Sequence, residues 1–87
     1  MKWKLVYTKE ANKDSRKLAV AGLKSKAEEH LRILEANPFQ TSPRFKKLAG
    51  DLAGAYSRRI NIKHRLVYQI LEEHHTVKVI SMWSHYE

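Results

Sequence analysis

Eighty-seven residues with seventeen Lys and Arg against nine Asp and Glu, a formal charge of +8, describe one small basic domain, since so short a chain cannot hold two independent cores. An apolar fraction of 43% with three Gly and two Pro argues against disorder, and the lack of cysteine removes disulfides, thiolate metal sites and cysteine nucleophiles. No stretch approaches the roughly 20 apolar residues of a membrane span, and MKWKLVYTKE has no signal-peptide core, so the chain reads as soluble and cytoplasmic, with a polyanion such as nucleic acid as its partner.

Trp3-Lys4-Leu5-Val6-Tyr7 alternates well enough for a short strand. Thr8 then offers an N-cap, and Lys9 to about Val20 reads as a polar helix with Ala11, Leu18 and Ala19 on its inner side. Gly22 breaks that helix, and Leu23, Ala27, Leu31 and Leu34 recur at the spacing of a second one. Asn37-Pro38 ends it, because the residue before a proline is pushed out of the helical region. Residues 39–54 form a connector rich in Pro, Ser, Gly and Lys, with a short strand expected near 45–48. Segments 55–61, 65–71 and 76–83 are rich in β-branched and aromatic residues, and the short polar turns between them favour consecutive hairpins. The order is β-α-α followed by an antiparallel β-meander, an α+β fold with helices packed on one sheet face.

Parity in the middle hairpin locates the arginines. Even positions give Tyr56, Arg58 and Ile60 on one strand and Leu66, Tyr68 and Ile70 on the next. Odd positions give Ser57 and Arg59, then Arg65, Val67 and Gln69. Side chains alternate between sheet faces, so placing Ile60 on the face of Leu66, Tyr68 and Ile70 requires even-to-even pairing, which a one-residue slip would undo. With a three-residue turn at Asn61-Ile62-Lys63, Arg59 then lies opposite or diagonal to Arg65. Like charges so placed cost a sheet a few tenths to ~1 kcal/mol. A bound phosphate reverses the sign, because guanidinium groups grip phosphate through paired hydrogen bonds. The other reading pairs each arginine with a carboxylate, for instance Glu72, Glu73 or Asp51. Arg58, in apolar company, reads as a snorkelling or ion-paired residue at the sheet end.

The ending Ser84-His85-Tyr86-Glu87 sets a titratable ring and an aromatic just past the last strand. Histidine suits proton transfer near neutral pH, and tyrosine stacks on bases or bonds phosphate, although a terminal histidine is more often simply solvated. His74-His75 reads as a turn rather than a metal pair, because adjacent residues diverge in a strand and no third ligand has a fitting spacing. His30 reads as a surface residue of the second helix, and His64 as a turn residue without a role. There is no Gly-rich phosphate loop, HExxH or nucleophile elbow, and neither a metal nor a cofactor is expected.

The run Lys46-Lys47-Leu48-Ala49-Gly50-Asp51-Leu52-Ala53-Gly54-Ala55-Tyr56-Ser57-Arg58-Arg59-Ile60, then His64-Arg65-Leu66-Val67-Tyr68, closely resembles the YoeB/Txe toxins. So do the ending Trp83-Ser84-His85-Tyr86 and Asn37-Pro38-Phe39 after the second helix. The Ser-Arg-Arg-Ile and His-Arg-Leu-Val-Tyr blocks, at this spacing, are its most specific part. The resemblance spans nearly the whole chain as a single toxin domain.

This resemblance implies the microbial-ribonuclease-like fold of the RelE superfamily. It implies an endoribonuclease that cuts mRNA in the ribosomal A site through 2′-hydroxyl attack, inhibiting translation. It also implies a YefM/Axe-like antitoxin as partner and allows a homodimer. By position, Arg59 and Arg65 match phosphate-binding arginines, and His85 and Tyr86 match the terminal catalytic pair. Two positions depart: Lys46 stands where the family usually has a glutamate base, and Ala49 where it has a lysine. The expectation is that Lys46 or Lys47 compensates electrostatically and His85 acts as general acid. Two other functions compete: a non-catalytic or attenuated RNA- or ribosome-binding module, and a ParE-like gyrase inhibitor.

Overall fold

The computed structural model describes residues 2–41, 44–50 and 54–84, with Ser84 described by its backbone alone. His85 and Tyr86, and also Asp51, therefore lie outside the described residues. A strand β1 (Lys4–Tyr7) leads into helix α1 (Lys9–Val20) and helix α2 (Lys24–Ala36). Four strands follow: β2 (Phe45–Lys47), β3 (Ala55–Arg59), β4 (Arg65–Leu71) and β5 (Thr76–Ser84). A 3-10 turn at Glu72–His74 joins the last two, closed by His75 in the left-handed region at φ 50°.

Each helix end has a local cause. Thr8 is extended and its hydroxyl accepts the N–H of Ala11 at 3.0 Å, which caps α1. At the other end Gly22 adopts φ 76°, the N–H of Gly22 donates to the Ala19 carbonyl and that of Leu23 to the Leu18 carbonyl at 2.8 Å. This is the Schellman closure, which needs a residue without a Cβ penalty at the left-handed position. Asn37 turns α2 off into an extended backbone, and its side chain accepts the N–H of Phe39.

The sheet order is β1-β5-β4-β3-β2. β2 through β5 form the expected antiparallel meander, while β1 joins β5 in parallel, from Lys4 beside Thr76 to Tyr7 beside Val79. The sheet is thus mixed, a detail strand composition does not reveal. The core is one layer of Ile60, Leu66, Tyr68, Val77, Val79 and Met82 under Ala11, Leu18, Ala27 and Leu34 of the helices. Two expectations change. Ala19 is exposed, and Asp14 takes a buried place on the inner side of α1, 4% exposed.

The buried carboxylate has a reason at the edge of β5. β1 ends at Tyr7, so beyond Val79 this edge of β5 has no neighbouring strand among the described residues. α1 supplies the missing partners: the Thr8 hydroxyl donates to the Ile80 carbonyl at 2.6 Å, and Asp14 accepts the Met82 N–H at 2.9 Å. Buried backbone groups must be paired, and here side chains do it. The β4–β5 register also slips between Tyr68 and Arg65, so this stretch of β5 is irregular and leaves its ideal line.

Candidate functional site

The expected even-to-even pairing is present, and of the two placements open for the arginines the structure has the direct one. Tyr56 faces Tyr68, Ser57 faces Val67, Arg58 faces Leu66, and Arg59 stands directly opposite Arg65. Ile60, Leu66 and Tyr68 belong to the core under the helices, so Ser57, Arg59, Arg65 and Val67 occupy the other face. The turn at Asn61–Lys63 is fastened by the Asn61 side chain, which accepts the N–H groups of Lys63 and His64.

β2 adds the next row. Lys46 is the register partner of Ser57, which faces Val67, which faces Ser81 of β5. Arg44, Phe45, Lys46, Ser57, Arg59 and Arg65 line a concavity of about 640 Å³. Four of these are cations, and none of the described lining residues is acidic. Lys47 pairs with Tyr56, alternates to the other side of β2 and is not among the described residues of this concavity. β5 ends at Ser84, the register partner of Arg65.

Electrostatics there are unbalanced. Among the described residues one ion pair forms, Arg32 with Glu28 at 3.7 Å on the exposed side of α2. Glu72 and Glu73, considered as partners for the arginines, sit in the 3-10 turn beyond Leu71, at the opposite end of β4 from Arg65. The two facing guanidinium groups therefore repel without a described carboxylate between them.

Arg58 corrects the sequence reading. It neither snorkels to water nor marks a sheet end; it is 1% exposed and faces Leu66 in mid-sheet. Its Nε donates to the Tyr68 hydroxyl at 2.9 Å and its Nη2 to the Pro38 carbonyl at 2.9 Å. Its guanidinium carbon lies 5.0 Å from the centre of the Phe45 ring, within cation–π range. Burial pushes the Tyr68 phenol above its usual pKa, with the Arg58 charge opposing that shift. Arg58 thus ties the connector after α2 and the start of β2 to the sheet below the cationic concavity. Sequence held no signal for this, because the Pro38 carbonyl becomes a partner only once the connector folds back.

The histidines divide. His64 is buried and stacks on Trp83, ring centres 3.9 Å apart, so it does more than fill a turn. His75 stacks on Trp3 at 4.0 Å. His30 is half-buried rather than on the surface, and burial lowers its pKa below the usual 6.5.

Two helices packed on a mixed five-strand sheet form the arrangement of RelE-like toxins. Residues 7–86 match the family model of the YoeB-like toxin of bacterial type II toxin–antitoxin systems. The chain belongs to that family. It is similar to a YoeB/ParE toxin from Agrobacterium tumefaciens, with 32% identity over 95% of this chain and 99% of that one and a TM-score of 0.85. The toxin in a YoeB–YefM complex from Staphylococcus aureus is 28% identical over 99% of this chain and 100% of its own, with a TM-score of 0.80. A YoeB dimer from the same organism has the same identity and coverage and a TM-score of 0.81. No curated protein sequence matches the chain.

Proposed function

We propose that this toxin is a ribosome-dependent endoribonuclease that holds mRNA by its phosphates between Arg59 and Arg65 and cuts it in the A site. The observation that carries this reading is the direct opposition of the two arginines in a hollow shared with Arg44 and Lys46. Two guanidinium groups facing each other destabilise an isolated sheet, and a phosphate diester between them removes the repulsion. Cleavage runs by attack of the ribose 2′-oxygen on phosphorus. The 2′-hydroxyl loses its proton to a neighbouring water, the 2′-oxygen bonds to phosphorus to give a 2′,3′-cyclic phosphate, and the bond to the 5′-oxygen breaks as that oxygen takes up a proton. Arg65 and Lys46 stabilise the extra negative charge on the pentavalent phosphate. His85 supplies the proton to the leaving oxygen, and Tyr86 stacks beside it or bonds the phosphate. Lys47, on the other side of β2, contributes to binding more distant phosphates.

The relatives support the partners. A YefM antitoxin accompanies the Staphylococcus aureus toxin in one structure, and a YoeB dimer forms another. This chain accordingly pairs with a YefM-like antitoxin in the cytoplasm, and two copies associate. No described helix is long and apolar enough to cross a membrane.

Lys46 favours a second reading. A cation in place of the family's usual glutamate leaves the 2′-hydroxyl without that base, and an RNA-binding toxin with slow or no chemistry would result. A ribosome-dependent cleavage assay on translated mRNA separates the two. Wild type should cut and Arg65→Ala and His85→Ala should each lose roughly 100-fold or more, while Lys46→Glu, which exchanges a stabilising cation for a base, should speed the reaction only under the second reading. Binding without cutting by wild type selects the second reading.

A further inference from the structure

The floor of the cationic hollow holds a group that the phosphate grip does not explain. Ser57 is 2% exposed, and its Oγ finds no hydrogen-bond partner in the protein. Its register neighbours on the same face are Lys46 on one side and Val67 on the other. A hydroxyl buried without a partner is uncommon, because the group gives up its bonds to water and receives nothing in return. Alanine or valine would fill this strand position without that penalty, and Val67 next to it shows that the face accepts an apolar side chain.

We infer that Ser57 is a substrate-positioning residue whose hydroxyl donates to a non-bridging oxygen of the RNA phosphate held by Arg59 and Arg65. The inference rests on the proposed RNA-binding role of this hollow and adds a neutral donor to it. Arg59 is two residues along β3 from Ser57 on the same face, with Arg65 directly across. An anion drawn between the guanidinium groups is thus delivered to the Ser57 end of the same hollow. Arginine and lysine side chains are long and adjustable, whereas a serine on a central strand is fixed by the backbone. The cations attract, and the serine sets the depth and orientation at which the phosphate settles.

The test compares wild type, Ser57→Ala and Arg59→Ala for binding to a short, fully 2′-O-methylated RNA, which cannot be cut, over a range of salt. Thermal unfolding of the unliganded proteins is measured alongside. Ser57→Ala should weaken binding roughly tenfold, the loss of about one hydrogen bond to a charged group. Its salt dependence should keep the wild-type slope, because a neutral hydroxyl releases no counterion, while Arg59→Ala should flatten it by about one unit. The Ser57→Ala midpoint of unfolding should equal or exceed that of wild type. Equal RNA affinity for wild type and Ser57→Ala overturns this inference alone, as does a lowered midpoint together with a changed slope, the mark of a structural role. RNA binding by neither protein overturns this inference, while the ribosome-dependent cleavage assay decides the proposed function separately.

Discussion

Arg59 and Arg65 are direct cross-strand partners on the sheet face away from α1 and α2, and no described carboxylate pairs with either. Like charges so placed repel, and the proposed phosphate site lies between them. Replacing either arginine by alanine should raise the stability of the unliganded protein by a few tenths to about 1 kcal/mol. The same change should lower RNA affinity at every sequence tested. Denaturant midpoints with and without added inorganic phosphate check both halves. Phosphate should stabilise wild type more than either variant, since a ligand bound only to the folded state raises its stability by mass action.

Below that face, the Arg58–Tyr68 hydrogen bond makes a different forecast. Tyr68→Phe leaves a buried guanidinium short of one acceptor and should cost about 1–3 kcal/mol. Combining it with Arg58→Met should cost less than the sum of the two single changes, because removing both partners strands fewer buried groups than removing one. Urea unfolding of the four proteins in the cycle measures the coupling.

The graft of α1 onto the edge of β5 can be cut at one atom. Asp14→Ala strands the Met82 N–H in a buried site and should cost about 1–3 kcal/mol. Hydrogen exchange at the Met82 amide should accelerate more than at Val79, whose strand neighbour Tyr7 is untouched.

His30 supplies a pH dependence. Burial, the largest cause, lowers its folded pKa below 6.5, with Arg58 and Lys26 adding to the effect and Glu29 opposing it. Its Nδ1 is buried and lacks a hydrogen-bond partner. Above the unfolded value both states are neutral at this ring and it contributes no slope. As pH falls through 6.5 the unfolded chain takes up the proton first, so stability declines until the folded pKa is passed. His30→Gln should show a shallower loss of stability than wild type between about pH 7.5 and about pH 5.5. Equal slopes would remove His30 from the account.

How much could be read in advance follows from the range of each signal. The β3–β4 register was legible because Ile60, Leu66, Tyr68 and Ile70 share one parity, and a one-residue slip would expose them all. The helix limits were legible from Thr8, Gly22 and Pro38, whose backbone preferences are local. Asp14 was not, since a helical wheel counts apolar residues and cannot know that β5 lacks an acceptor beyond Val79. Nor was Arg58, whose partners lie on the connector and the next strand. In the hollow, Arg59 and Arg65 come together as their parity implied, and Lys46, named only through the family resemblance, joins them, whereas Lys47 alternates away. Ser57 went unremarked because an orphaned hydroxyl is a property of burial, which the letters do not carry.

The position of β5 has a kinetic consequence. β5 lies between β1 and β4, and contributes Val77, Val79 and Met82 to the core. A nascent chain synthesised only as far as Glu73 holds β1 with no strand to pair with and a β2–β4 ribbon whose open edge is β4. Neither piece can close over the helices. The decisive contacts join positions near 5 to positions near 77, a non-local closure that makes folding slow relative to a helical bundle of this size. The sheet that carries the hollow is thus complete only once its last strand has docked between β1 and β4.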